Sequence, residues 1–137
     1  MLEPMQGAEV IKSGVTRSWL VKPNVVYAEC ESGADITLED AKSDISITNQ
    51  HISEGAFGVI INTTEINSIT KDARDYYASN EQDVGNVAKA LIVDSFFSKV
   101  IANFLMRYSN NPVPTRLFID VNEALDWVQS KVDEARK

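Results

Sequence analysis

The chain contains one cysteine and one histidine, has no apolar run of bilayer length, and carries no excess of basic residues. Each absence removes a class of function. Cys30 cannot form an internal disulfide, which fits a reducing compartment, and no cationic neighbours mark it as an activated thiol. Its simplest role is that of a small apolar strand residue. His51 and Cys30 have no partners at ligand spacing and the carboxylates form no calcium-loop pattern, so no metal is expected. A Ser-His-Asp triad would have to use His51, in a polar segment after the first expected helix, and is rejected. There is no Gly-x-Ser-x-Gly elbow, no phosphate-cradling glycine loop and no dinucleotide fingerprint. The expectation is a protein that is not an enzyme and needs no cofactor.

The longest apolar stretches are Phe57–Ile61 and Ala88–Val93, the second interrupted by Lys89. Both are strand-sized, far below the roughly 20 residues that span a bilayer, so no membrane span is expected. The opening MLEPMQGAEVIKSG lacks the basic flank and continuous apolar stretch of a secretory signal, and the expected location is the cytoplasm. Thirteen Lys and Arg against 20 Asp and Glu leave a net charge of -7, which opposes binding to a phosphate backbone. No nucleic acid partner is expected. The acidic residues gather between Glu29 and Asp44, where they read as a solvated loop and helix face that favours solubility.

What is present is an ordinary globular composition, 44% hydrophobic and 24% charged. A chain of 137 residues supports one core. Residues 1–14, with Pro4, Gly7 and Gly14, read as a flexible N-terminal segment or an edge element, and residues 15–137 as a single domain. Val15–Val21 and Val25–Cys30 flank Lys22-Pro23-Asn24 and predict an antiparallel hairpin. Thr37 and Asp40 predict a capped helix in which Leu38, Ala41 and Ile45 face the core while Glu39, Lys42 and Asp44 face water. Phe57–Ile61 predicts a strand buried on both faces, followed by a polar turn and a helix beginning near Thr70. A second buried strand, Val87–Val93, leads into an apolar helix over Phe96–Tyr108, which Pro112 and Pro114 stop. Arg116–Ile119 is a short last strand, and Asp120 with Glu123 caps a helix from Val121 to about Ala135. The fold class expected is α/β, a mixed sheet with an N-terminal antiparallel hairpin followed by alternating helices and strands.

That order, together with GVTRSWL, ITLEDAKSDI, INSITKDARDYYAS, SKVIANFL, VPTRLF and EALDWV, resembles the STAS domain superfamily of anti-sigma-factor antagonists. The closer similarity is to an uncharacterised bacterial group of small STAS-like proteins. The resemblance implies a STAS-like mixed sheet and a regulatory domain that binds a protein partner. In the antagonists a loop before a helix carries an Asp-Ser-Ser-Gly-like motif whose serine is phosphorylated. Placing Ile69 on the apolar residue before that motif puts Asp72 on the phosphoacceptor position, so the usual serine is missing. A permanent carboxylate there copies part of the charge of a phosphate, and it equally suits the first turn of any helix. Thr63, Thr64, Ser68 and Thr70 leave phosphorylation of a neighbouring hydroxyl open.

The residues expected to meet a partner are Asn62, Thr63, Thr70, Lys71, Asp72 and Arg74, with Asp94, Ser95 and Ser98 at the next junction. Arg74 would contact an anion or pair with Asp75 or Glu81. On the helix after Asp94, Phe96, Phe97, Val100, Ile101, Phe104 and Met106 form an apolar arc wider than one core stripe. It is expected to bury against the sheet, to pack a homodimer, or to wall a pocket for a small apolar ligand. The alternative function is therefore a carrier or sensor of a small apolar or amphiphilic molecule.

Overall fold

The turn at Lys22-Pro23-Asn24 joins β2 (Thr16–Lys22) to β3 (Val25–Cys30), antiparallel and in register from Thr16 opposite Cys30 to Leu20 opposite Val26. The computed structural model describes residues 2–52, 55–79, 85–94, 99, 102–103 and 113–137. A short strand, β1 (Ile11–Ser13), adds to the outer side of β2. On the inner side β3 pairs in parallel with β5 (Phe57–Asn62), β5 with β7 (Asn86–Ile92), and β7 with β8 (Thr115–Phe118). The result is a six-stranded mixed sheet in the order β1-β2-β3-β5-β7-β8. Central parallel strands are buried on both faces, which is why Val25, Val26 and Tyr27 of β3 and Val59 and Ile60 of β5 are all buried without alternation.

Side-chain alternation nevertheless divides the core. Val25, Tyr27, Ile60, Ala88 and Ala90 point to one face, where they meet Ala124, Val128 and Val132 of the last described helix, Val121–Ala135. Those three helix residues lie four apart, a single stripe that turns wholly inward. The helix comes close because β5 carries no side chain at Gly58. A Cβ there would stand 2.3 Å from Val128 Cγ1 and 3.3 Å from Val132 Cγ2. Asp120 starts this helix, accepting from the Asn122 N–H at 2.7 Å and the Glu123 N–H at 3.3 Å.

The other face carries Val26, Phe57 and Val59, with Leu91 and Val93 beyond them. Here lies α1 (Leu38–His51), opened by the expected capping box: the Asp40 N–H donates to Thr37 Oγ1 at 3.4 Å, and the Thr37 N–H donates to Asp40 Oδ2 at 2.9 Å. Beside it is α2 (Lys71–Ser79). The helix Val121–Ala135 is α3. Of the helix expected over Phe96–Tyr108, Lys99, Ala102 and Asn103 are described and are helical, and the other residues lie outside the described ones.

Three expectations change. The segment expected to be a polar turn before α2 contains β6 (Ile66–Ile69), which pairs in parallel with β4 (Ala34–Ile36) as a separate two-stranded ribbon. Neither segment is long enough to show a period. Each is a strand because the other lies alongside, with Ile36 opposite Ile69 and both buried. Ile119, expected to end the last strand, lies beyond β8 and is 70% exposed. His51 is the final residue of α1, where its Nε2 lies 3.0 Å from Ser18 Oγ, so it belongs to the helix-to-sheet contact.

Candidate functional site

Two consecutive units share one plan: a strand of the main sheet, a break, a strand of the ribbon, a capping threonine and a helix. In the first, β3 leads through Gly33 (φ +74°), β4 and Thr37 into α1. In the second, β5 leads through Thr63 and Thr64, β6 and Thr70 into α2. The Gly33 N–H donates to the Glu65 carbonyl at 2.9 Å, tying the two breaks together. Both junctions therefore open at the carboxyl ends of neighbouring parallel strands, where open α/β sheets place their sites.

The second junction holds most of the expected loop residues, in unequal roles. Asn62 is a local organiser: Oδ1 accepts from the Thr64 N–H at 3.0 Å and hydroxyl at 2.7 Å, while Nδ2 donates to Tyr27 Oη at 3.0 Å. Thr63 is wholly buried, and its hydroxyl donates to the Ile92 carbonyl at 2.7 Å. It therefore braces β7 and cannot present itself to a partner. Thr70 caps α2, accepting from the Ala73 N–H at 3.3 Å, and donates its own proton to the Asp72 carboxylate. Asp72 also accepts from the Ala73 N–H at 2.9 Å, and the Thr70 hydroxyl first of all holds its carboxyl below the usual carboxylate range. Lys71 pairs with Asp75 at 3.0 Å, one turn along. Arg74 Nη1 donates to the Ile69 carbonyl at 2.5 Å, closing the end of β6.

Thr70, Lys71, Asp72 and Asp94 are exposed. Ser95 and Ser98 lie outside the described residues, as do Phe96, Phe97, Val100, Ile101, Phe104 and Met106. Three further exposed residues join the junction: Asp35 of β4 accepts from Asn67 Nδ2 at 2.8 Å and Ser68 Oγ at 2.6 Å, both on β6. Those bonds, Ser68 first, hold the Asp35 carboxyl below its usual range. Nothing in a three-residue strand announces such a contact, since its partners lie more than thirty positions away.

A second polar cluster lies inside. Asp44 was expected to face water, yet it turns toward the sheet between Ala41 and Ile45 on one side and Ile47 on the other. Its Oδ2 accepts from Tyr77 Oη of α2 at 2.6 Å, and Oδ1 is out of contact with solvent, with no hydrogen-bond partner among the described residues. Burial pushes the Asp44 carboxyl up to about 6, against the opposing pull of Tyr77 and Thr16 and with help from the charge of Asp40. Burial likewise raises the Tyr77 phenol and pushes the Cys30 thiol up to about 11, which leaves Cys30 an inert, protonated thiol. Asp44 borders a cavity of about 120 Å³ lined mainly by apolar side chains of α1, β5 and the β4–β6 ribbon, with Leu91 of β7, and in part by polar ones that include Thr16, Glu29 and Lys89. Among the described residues no group of three or more His, Cys, Asp and Glu could hold a metal, and no helix is long and apolar enough to cross a membrane.

The sheet order, hairpin and helix placement define the SpoIIAA-like, that is STAS-like, class of fold. A crystal structure of an uncharacterized protein of the DUF3478 family with a SpoIIAA-like fold, from Shewanella loihica PV-4, is similar to this chain with a TM-score of 0.56. The match covers 89% of this chain and 92% of that one at 16% identity, a level that speaks for fold alone. Residues 19–132 match the family model of a domain of unknown function, DUF7793, and the chain belongs to that family. No curated protein matches it.

Proposed function

We propose that the chain is a non-enzymatic, cytoplasmic interaction domain of STAS-like type, which regulates a protein partner through the paired strand-to-helix junctions. The observation that carries this reading is their rigidity and exposure together. Asp35, Asn67, Ser68, Thr70, Lys71 and Asp72 all face solvent, yet hydrogen bonds hold the carboxylates in place before any partner arrives. A surface organised in advance loses less side-chain freedom on binding. Asp72 stands where the antagonists carry their phosphoacceptor serine, so this domain presents a constant charge in place of a switchable one.

Capture from a lysate of the source organism tests the proposal, using wild-type protein beside Asp72→Lys and Lys71→Glu. A specific co-purifying protein should fall at least tenfold with each variant. Equal recovery with all three baits refutes this surface, and native mass spectrometry of the same samples reads a homodimer directly. A second reading, a carrier or sensor of a small apolar or amphiphilic ligand, is favoured by the cavity beside Asp44. A bound molecule in the native mass spectrum of the protein from its source supports it.

A further inference from the structure

We propose that this cavity is a binding site for a small, compact apolar molecule bearing one hydrogen-bond donor, whose donor engages Asp44 Oδ1 while its body packs against Ile45, Ile47, Val59, Ile61 and Leu91. The inference rests on the second reading above and sharpens it to a ligand chemistry. Two independent observations meet at one place. The first is an apolar space of about 120 Å³, somewhat below the roughly 150 Å³ of a dry apolar cavity that takes up benzene. The second is an acceptor, Asp44 Oδ1, buried at the edge of that space with no hydrogen-bond partner among the described residues.

Asp44 is also oriented. Its Oδ2 is engaged by the Tyr77 hydroxyl at 2.6 Å, which bridges α2 to α1, while the Thr16 hydroxyl faces the carboxyl from β2 without completing a hydrogen bond to Oδ1. A single water would satisfy Oδ1, but a water's share of volume is about 30 Å³, so most of the cavity would stay void. A molecule of one-ring size with a hydroxyl or amine at one end answers both needs. An acceptor buried in apolar surroundings discriminates strongly, because a donor-free isostere leaves it unpaired.

The test uses phenol, aniline and toluene, which share one shape and differ in the donor. Each is titrated into the full-length protein at pH 8 while backbone amide NMR shifts are followed. Phenol and aniline should bind at least tenfold more tightly than toluene, with the shifts centred on Val59, Ile61 and Leu91. Asp44→Leu should remove that preference while toluene still binds, and if this variant does not fold, the comparison on the wild-type protein decides alone. Equal affinity for phenol and toluene overturns the role of Asp44 and leaves an unspecific apolar cavity. Binding of none of the three overturns the ligand reading itself, and shifts centred elsewhere overturn the site.

Discussion

Replacing Asp44 by asparagine should stabilise the protein at pH 8 and leave it unchanged or slightly weakened at pH 4. The carboxyl has an ordinary value of 3.8 and about 6 in the fold, so folding favours its neutral form. Because the folded value is the higher one, the contribution of Asp44 is fully present below about pH 3.8 and is lost as pH rises through about 6. At about 1.4 kcal/mol per decade, that interval is worth about 3 kcal/mol at pH 8. The groups facing the carboxyl are Tyr77 of α2, Thr16 of β2, Cys30 of β3 and Asp40 one turn back on α1. An asparagine carbonyl can keep the bond from Tyr77 Oη, while its amide adds donors beside Thr16 and Cys30, at a cost of about 1 kcal/mol for a donor left unpaired. The net gain at pH 8 is therefore about 1 to 3 kcal/mol. Urea unfolding of Asp44→Asn and wild type, followed by circular dichroism at pH 4, 6 and 8, isolates the effect, because every other group titrates alike in both. A difference independent of pH would show that the Asp44 carboxyl titrates alike in the folded and unfolded chain, and a variant less stable at pH 8 than at pH 4 relative to wild type would show that the fold favours the charged carboxylate.

Other perturbations address the frame around the junctions. Gly58→Ala drives a methyl to 2.3 Å from Val128 Cγ1 and should cost about 1 to 3 kcal/mol in thermal or urea unfolding. Adding Val128→Ala should recover part of that loss, and strict additivity of the two would deny the contact. Thr63→Val removes the hydroxyl bond to the Ile92 carbonyl but leaves the Thr63 N–H bond of 3.1 Å to the same oxygen, so about 1 kcal/mol should be lost. Asp120→Ala strips the cap from α3 and should cost about 1 kcal/mol, with hydrogen exchange accelerated at Asn122 and Glu123 and not at the far end of the helix.

Much of the frame was legible because its causes are local. Asp120 and Glu123 mark the start of α3 within four residues. Pro23 sets the hairpin turn, and the unbroken apolar run Phe57–Ile61 requires burial on both faces. The candidate site was legible in part. Thr70 as a cap and Asp72 in the first turn follow from neighbours one to three positions away. The inward turn of Thr63 did not, since its hydroxyl bonds a carbonyl on a different strand.

The sequence by itself determined the hairpin, the capped helices and the succession of buried strands, because caps, turns and periodic burial act over a few residues. Only the tertiary structure decided that β4 and β6 are strands at all, that Asp35 locks the two junctions together, and that Asp44 faces the interior. The reason is one of distance along the chain. A three-residue strand has no period of its own, and its hydrogen bonds depend on a partner thirty residues away. Asp44 likewise sits at a helix position that water or the sheet could claim, and Tyr77, thirty-three residues on, holds it against the sheet.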